Sequence, residues 1–361
     1  MVYKFLIYIS YSYAIPIGTP LENEISGRNH KVKWFCDHEE GLKKLTTKEN
    51  VLPLIQDVVD YAPDIVLTAT NNVPDFITGL KVQIFHGFNA QKRPSKKNKF
   101  SHFRIRGFFD LYCTQGPSTT KFFEVQQQAH PHFKVVETGW PKVDPLFSIT
   151  NDETQNLVPH ILIASTFTQR LSLAYDEEVF DEIKKLVKTK KYHFIMVLHP
   201  KIPKSLVEKW KTLVGDNFIY YDTTDLIPLF QKSDIMFADT TSAIQEFVLQ
   251  KKPVVTYRNH TNQNYLINVS EATKIAEKLN YALTNPMDII DNIKVFILEL
   301  HPYFDGKSSK RVIDESILFL HADKSGYKKK PLNLIRKYKI RKQLGYFTLR
   351  SFNKPYTLKN D

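Results

Sequence analysis

Short runs of consecutive apolar residues recur along this chain. Between them, apolar positions return every three or four residues. Unbroken apolar runs predict strands buried on both faces, and the helical period predicts the connections between them. In the first half, 4–10, 31–36, 64–68, 81–85, 111–114 and 134–138 read as strands. The turn Pro16-Ile17-Gly18-Thr19-Pro20 opens a helix to about residue 28, and further helices are expected over 51–61 and from 117 to about 128. This rhythm predicts an α/β fold with a parallel, doubly wound sheet. The polar stretch 148–156 breaks it and reads as a linker. The rhythm restarts with strands at 161–164, 194–198, 218–221, 235–238 and 254–257 and a helix over about 176–190. The expected division is an N-terminal domain over 1–147, a second over 157–324, and a tail over 325–361.

Composition agrees with a globular chain: 361 residues, 42% hydrophobic and 24% charged, ample for two domains. Cys36 and Cys113, the two cysteines, each lie in an apolar run and read as buried thiols in a reducing compartment. The N-terminal apolar run is short and lacks a small-residue cleavage site, so a signal peptide is not expected. No segment approaches the roughly 18 apolar residues of a membrane span. A cytoplasmic protein, peripheral on the inner face of the cell membrane, is the expectation.

The net charge of +12 sits mostly in the tail, where residues 325–361 hold eleven Lys or Arg and one acid, Asp361. Leu332, Leu334, Ile335, Tyr338, Ile340, Leu344, Tyr346 and Phe347 interleave there with Arg336, Lys337 and other cations. A basic amphipathic segment of this kind suits an anionic membrane surface. The same charges would serve nucleic acid or a merely solvated tail, but no nucleic-acid partner is expected.

Candidate chemistry clusters at strand ends, where ligands sit in open α/β sheets. Residues 233–247 read as an apolar strand, a hydroxyl-rich turn Asp239-Thr240-Thr241-Ser242 and a helix carrying Glu246. A helix start favours phosphate, and a carboxylate one turn on could hold a ribose. The plainer reading makes Asp239 and the threonines helix caps. His86 and His199 each end a strand, followed by Gly87 and Pro200. Each could handle a proton near neutral pH or serve as a hydrogen-bonded strand-end histidine. Arg170, after the strand at 161–164, is a candidate phosphate contact or a plain loop arginine. Residues 91–106 hold Lys92, Arg93, Lys96, Lys97, Lys99, Arg104 and Arg106 and no acid. Such a stretch steers an anionic acceptor or is a solvated loop. No zinc spacing and no Asp-x-Asp motif occurs, and no metal or other cofactor is expected.

Six motifs in one order resemble the CDP-glycerol glycerophosphotransferases of teichoic acid and capsule synthesis. They are Phe85-His86-Gly87, Thr138-Gly139-Trp140-Pro141-Lys142-Val143-Asp144, the strand 161–166, Leu198-His199-Pro200, Asp239-Thr240-Thr241-Ser242 with Glu246 and Lys252-Pro253, and 304–311. They cover roughly 85 to 315. Thr240-Thr241 stands where the family has Tyr-Ser, Ser165-Thr166-Phe167 where it has Pro-Thr-Trp, and Trp140 where it has Tyr. The resemblance implies a GT-B fold of two Rossmann-like domains with the active site in the cleft between them. Helices near 287–300 and 308–321 would pack back across it. It makes His86 the general base for an acceptor hydroxyl and sets His199 on the donor pyrophosphate. Asp239, Thr241, Ser242, Glu246 and Thr166 would hold the donor. Arg311, with Ser308 and Ser309, would add a phosphate contact or an interdomain pair. The implied reaction moves a polyol phosphate, foremost glycerol phosphate, from a CDP-linked donor to a lipid-linked or oligosaccharide acceptor, releasing CMP. A nucleotide-sugar glycosyltransferase or UDP-sugar 2-epimerase would use the same fold, and an idle nucleotide-binding scaffold is the rival of another class.

Overall fold

A computed structural model describes residues 1–88, 103–147, 156–259, 261 and 263–347. The first unit begins with β1 (Lys4–Ile9), α1 (Ile15–Gly27), β2 (Lys31–Cys36), α2 (Glu39–Leu45) and α3 (Ile55–Tyr61). β3 (Ile65–Thr68), β4 (Leu80–Ile84), β5 (Leu111–Thr114), α4 (Pro117–Ala129) and β6 (Lys134–Glu137) follow. These strands form one sheet in the order β2-β1-β3-β4-β5-β6, every pair parallel. β3, β4 and β5 are buried at every position. β3 and β5 are mostly apolar, whereas β4 also buries Gln83 and Lys81, whose Nζ donates to the carbonyls of Thr78 and Gly79 at 3.2 and 2.8 Å. α1 packs close to β2 at Gly18, where a Cβ would lie 2.3 Å from the ring of the fully buried Trp34.

The second unit holds β7 (His160–Ser165), α5 (Glu177–Thr189), β8 (His193–Leu198), α6 (Lys204–Lys211), β9 (Phe218–Tyr221) and α7 (Ile227–Lys232). It continues with β10 (Ile235–Ala238), α8 (Ala243–Phe247), β11 (Val254–Tyr257), β12 (Ile267–Val269), α9 (Ile275–Leu283) and α10 (Met287–Leu300). Its sheet runs β12-β11-β10-β7-β8-β9, again parallel throughout. Counted from β7, this is the 3-2-1-4-5-6 order of a dinucleotide-binding sheet. Lys252 of the Lys-Pro pair is structural: its Nζ donates to the carbonyls of Phe230, Gln231 and Ser233 at 2.7–3.2 Å and closes the end of α7.

Contacts divide the chain into Met1–Phe147 with Leu300–Asp361, and Ser148–Glu299. The expected boundary at 324 therefore moves to 300, because α11 (Ser308–His321) and α12 (Leu334–Leu344) build onto the first unit. The reason lies in their buried polar groups. Asp144 holds the first turn of α11, as described below. Arg341 of α12 is fully buried and pairs with Asp75, Nη2 to Oδ2 at 2.8 Å, with its guanidinium over the Phe76 ring. Ile340, Leu344 and Tyr346 pack on the core of this unit, Tyr346 stacked on Phe76. Lys330 pairs with Asp110, and Arg336 donates to the Arg106 carbonyl. The expected separate basic tail over 325–361 is corrected up to residue 347: part of its charge is spent on the first unit.

Breaking a buried ion pair strands the remaining charge and costs about 3–5 kcal/mol. Arg341→Ala and Asp75→Ala should each lower stability by that order in urea titrations. Trypsin should then cut within 324–347 earlier than in the wild type, the measurement that reports undocking of α12.

Candidate active site

All strands run the same way in each sheet, and the strand order reverses between β1 and β3 in the first unit and between β7 and β10 in the second. Such reversal points are where open α/β sheets leave a crevice at their strands' carboxyl ends. Both predicted histidines lie at that edge of their sheets.

His86 follows β4 and is exposed, with Tyr13 at 5.9 Å ring to ring. The backbone around it is clamped on both sides. The Trp140 indole Nε1 donates to the Phe85 carbonyl at 2.6 Å, and the buried Gln115 donates its side-chain N–H to the Gly87 carbonyl at 2.9 Å. Trp140 is held in turn by His301, whose Nε2 accepts the Trp140 backbone N–H at 2.9 Å. That bond places the imidazole proton on Nδ1. His301 is fully buried, and burial, reinforced by Arg311, pulls it down to about 4. It is a neutral acceptor near pH 7. The basic stretch beside His86, with Lys92, Arg93, Lys96, Lys97 and Lys99, lies outside the described residues.

The residues 304–311 fold against the same unit. The buried Asp144 carboxylate accepts the Ser308 N–H at 2.9 Å, and the Ser309 N–H and hydroxyl at 2.7 Å each. Burial raises its pKa, and these bonds oppose the rise. Gly139, at φ +81°, lets the chain pass Ser308, whose Oγ would lie 2.4 Å from a Cβ there. Arg311 bonds Asp305 through both terminal nitrogens at 2.8 and 3.0 Å, gives its Nε to the Thr138 carbonyl and covers the Tyr303 ring. The Arg311 contact holds Asp305 down to about 2. The donor-binding expectation for Ser308, Ser309 and Arg311 is therefore corrected. A carboxylate already fills the α11 start, and the guanidinium is spent on Asp305.

In the second unit His199 is exposed at the end of β8. Its Nδ1 accepts the Lys201 backbone N–H at 3.1 Å, which leaves Nε2 to carry the proton. Phe167 packs on it at 4.6 Å, with the Lys201 ammonium 5.2 Å from the Phe167 ring. Asp239 ends β10 with no exposure. It accepts the Ser165 hydroxyl at 2.6 Å, the Thr166 N–H at 3.0 Å and the Leu173 N–H at 3.1 Å. Burial raises its pKa against the pull of those bonds. Asp239 is thus a positioning group that ties the β7 loop to β10, and the expected donor contact at its carboxylate is corrected. Thr240, Thr241 and Ser242 are half-buried in the turn above it, and Thr241 Oγ1 accepts the Ala243 N–H. The helix they open, α8, has five residues and ends at Phe247, before a tighter turn through Gln250. Glu246 is 5% exposed, so little of it reaches a surface ligand. Arg170 is exposed on the turn after β7. Among the described residues, no group of three or more His, Cys, Asp or Glu is placed to hold a metal ion.

Trp140, Gln115, Asp144 and His301 were not assigned roles from sequence. The Thr-Gly-Trp-Pro-Lys-Val-Asp run was the available signal for two of them. Nothing local marks Gln115 or His301.

Two doubly wound parallel sheets with ligand edges of this kind define the GT-B fold. The sequence model described as CDP-Glycerol:Poly(glycerophosphate) glycerophosphotransferase matches residues 81–318, and the chain belongs to that family of transferases. Solved structures of the wall teichoic acid polymerase TagF share the fold. A TagF variant superposes at TM-score 0.65 with 13% identity over 88% of this chain and 89% of that one. The same protein soaked with CDPG gives 0.63 at 14% identity, with 88% and 89% covered. UDP-GlcNAc 2-epimerase from Neisseria meningitidis, bound to UDP-GlcNAc, gives 0.58 at 17% identity over 87% and 99%. No curated protein matches the chain by sequence.

A histidine held neutral by burial binds fewer protons folded than unfolded, so stability rises with pH through its titration window. For His301 that window runs from about 4 to the ordinary 6.5. Its full contribution, on the order of 3 kcal/mol, is present above the upper limit and is lost as pH falls. His132, also depressed to about 4, mainly by burial, adds to the trend. His301→Gln, which keeps an acceptor for Trp140, should flatten the acid limb of a denaturation series and leave stability near pH 7 much closer to the wild type.

Proposed function

We propose that this chain transfers glycerol phosphate from CDP-glycerol to a hydroxyl of a saccharide or lipid-linked acceptor in cell-surface polymer synthesis. The observation that carries the reading is the second unit's strand-order reversal between β7 and β10, with His199 at the end of β8. There Thr241, Ser242 and a histidine with a donating Nε2 sit beside the Asp239-braced loop. These are donors for a diphosphate. Thr166 belongs to the same loop, and Arg170 stands exposed just after it. Family membership supports glycerophosphotransfer, and the CDPG-soaked TagF structure supports a CDP-linked donor.

In the proposed reaction the acceptor oxygen attacks the β-phosphorus as its proton passes to His86. The new O–P bond forms while the bond from that phosphorus to the bridging oxygen breaks. CMP leaves with the electron pair, and the Nε2–H of His199 stabilises the charge building on it. Positioning and charge stabilisation supply most of the rate in such transfers.

We also propose that the first unit meets an anionic membrane surface through α12. Leu334, Ile335, Tyr338 and Phe347 are exposed, and so are Lys328, Lys329, Lys339 and Lys342. Apolar side chains flanked by cations suit that surface. Arg336 and Lys337, half-buried, stand at its margin. No helix among the described residues is long and apolar enough to cross a membrane.

CDP-glycerol should raise the melting temperature, as a ligand selective for the folded state does, and His199→Ala should lose that shift. A shift with UDP-GlcNAc alone would overturn the phosphotransfer reading. His86→Ala should retain the shift and lose about 10²–10⁴-fold in kcat. For the membrane face, Ile335→Glu with Tyr338→Glu should reduce cosedimentation with phosphatidylserine vesicles. Unchanged binding by that double variant would remove the assignment of α12.

A further inference from the structure

The first unit's reversal point, between β1 and β3, carries groups that the donor chemistry does not use. The turn after β1 presents Tyr11 and Tyr13, each 42% exposed, with rings stacked at 5.8 Å and 19° between planes. Tyr11 lies 4.6 Å from the exposed His38 ring. Tyr13 lies 5.9 Å from His86. Four rings therefore form one open shelf that reaches the proposed base.

The shelf is built in advance of any ligand. The buried Ser12 between the two tyrosines gives its N–H to Glu40 Oε2 at 2.9 Å and its hydroxyl to the other oxygen of that carboxylate. The Ala14 N–H closes the turn on the Tyr11 carbonyl at 3.0 Å. Asp37, at the end of β2, accepts the Tyr8 hydroxyl at 2.6 Å. The two tyrosines, on a turn held through the buried Ser12, present their ring faces to water and can take a ligand's apolar face.

The surrounding charge selects the ligand class. After burial, the groups acting on the Tyr13 hydroxyl are Tyr11, Asp37 and Glu40, all of which raise its pKa. Carboxylates beside a shelf repel a polyanion and accept hydrogen bonds from neutral hydroxyls. Aromatic faces take the C–H face of a sugar ring. We propose that Tyr11 and Tyr13 form a subsite for a neutral saccharide ring of the acceptor, seated at the β1–β3 reversal point with its hydroxyl toward His86. The subsite rests on the reading of His86 as acceptor base, and it favours a saccharide over a polyol-phosphate end group.

The test uses the full chain and saturation-transfer NMR with methyl β-glucoside, N,N′-diacetylchitobiose and glycerol 3-phosphate. At least one sugar should bind. Tyr11→Ala and Tyr13→Ala should each weaken it about tenfold, and Tyr13→Phe, which keeps the ring, should bind as the wild type does. The CDP-glycerol melting shift should be unchanged in all three variants. Sugar binding indifferent to both alanine changes, no binding of either sugar, or glycerol 3-phosphate displacing a sugar from the tyrosines would each overturn the subsite. Tyrosine-dependent sugar binding in a wild type that shows no CDP-glycerol shift would uphold the subsite and sink the donor reading instead.

Discussion

Each unit turns on one buried carboxylate that spends its oxygens on the backbone of a distant loop. Asp144 accepts two amides and a hydroxyl at the start of α11. Asp239 accepts two amides and a hydroxyl from the loop after β7. Burying an anion without such partners would be prohibitive, so both sites fold as all-or-nothing assemblies. The consequence is positional. Asp144 brings 300–321 back to the first unit, and that return supplies His301 behind Trp140. Asp239 fixes the floor beneath Thr241 and Ser242.

Most strands were legible in the sequence because parallel strands covered on both faces are largely apolar, as β3 and β10 are. The ends of the predicted elements differ from the observed ones by one or two residues, apart from the helix expected at 51–61, which starts at Ile55. Site roles were less legible. A motif displays a side chain's chemistry but not its partner. Asp239 reads equally as a ligand or a helix cap from sequence, and the structure instead spends it on the loop after β7. Ser308, Ser309 and Arg311 look like phosphate ligands until Asp144 and Asp305 are seen to occupy them. Those pairings join residues more than 160 positions apart in the case of Asp144, and local patterning carries no trace of them. The same holds for α12. Its alternation of basic and apolar residues suits a membrane face, yet Ile340, Arg341 and Leu344 face the core.

Trp140 illustrates how a departure from a family pattern acquires a reason. The indole offers a single donor at the rim of a large apolar plate. Here that donor meets the Phe85 carbonyl, and the plate packs edge-on against Phe88. In this chain the tryptophan sets a hydrogen-bond donor on the carbonyl before His86 and adds apolar contact around it.

Burial separates the histidines into two kinds. His301, sealed among Phe88, Phe147 and Tyr303, stays neutral and serves as a fixed acceptor. His86 and His199 sit at strand ends, exposed, each against an aromatic ring, Tyr13 and Phe167. Their orientation is secured without covering the ring: carbonyls on either side of His86 are clamped, and the Nδ1 of His199 is tied to the Lys201 amide. Proton transfer and phosphate contact both need a ring that is aimed yet open on one edge. A buried histidine satisfies only the first condition and a loop histidine only the second. The strand end, braced from beneath by the sheet, satisfies both, and on this ground the two exposed strand-end histidines rather than the buried one are proposed for the chemistry.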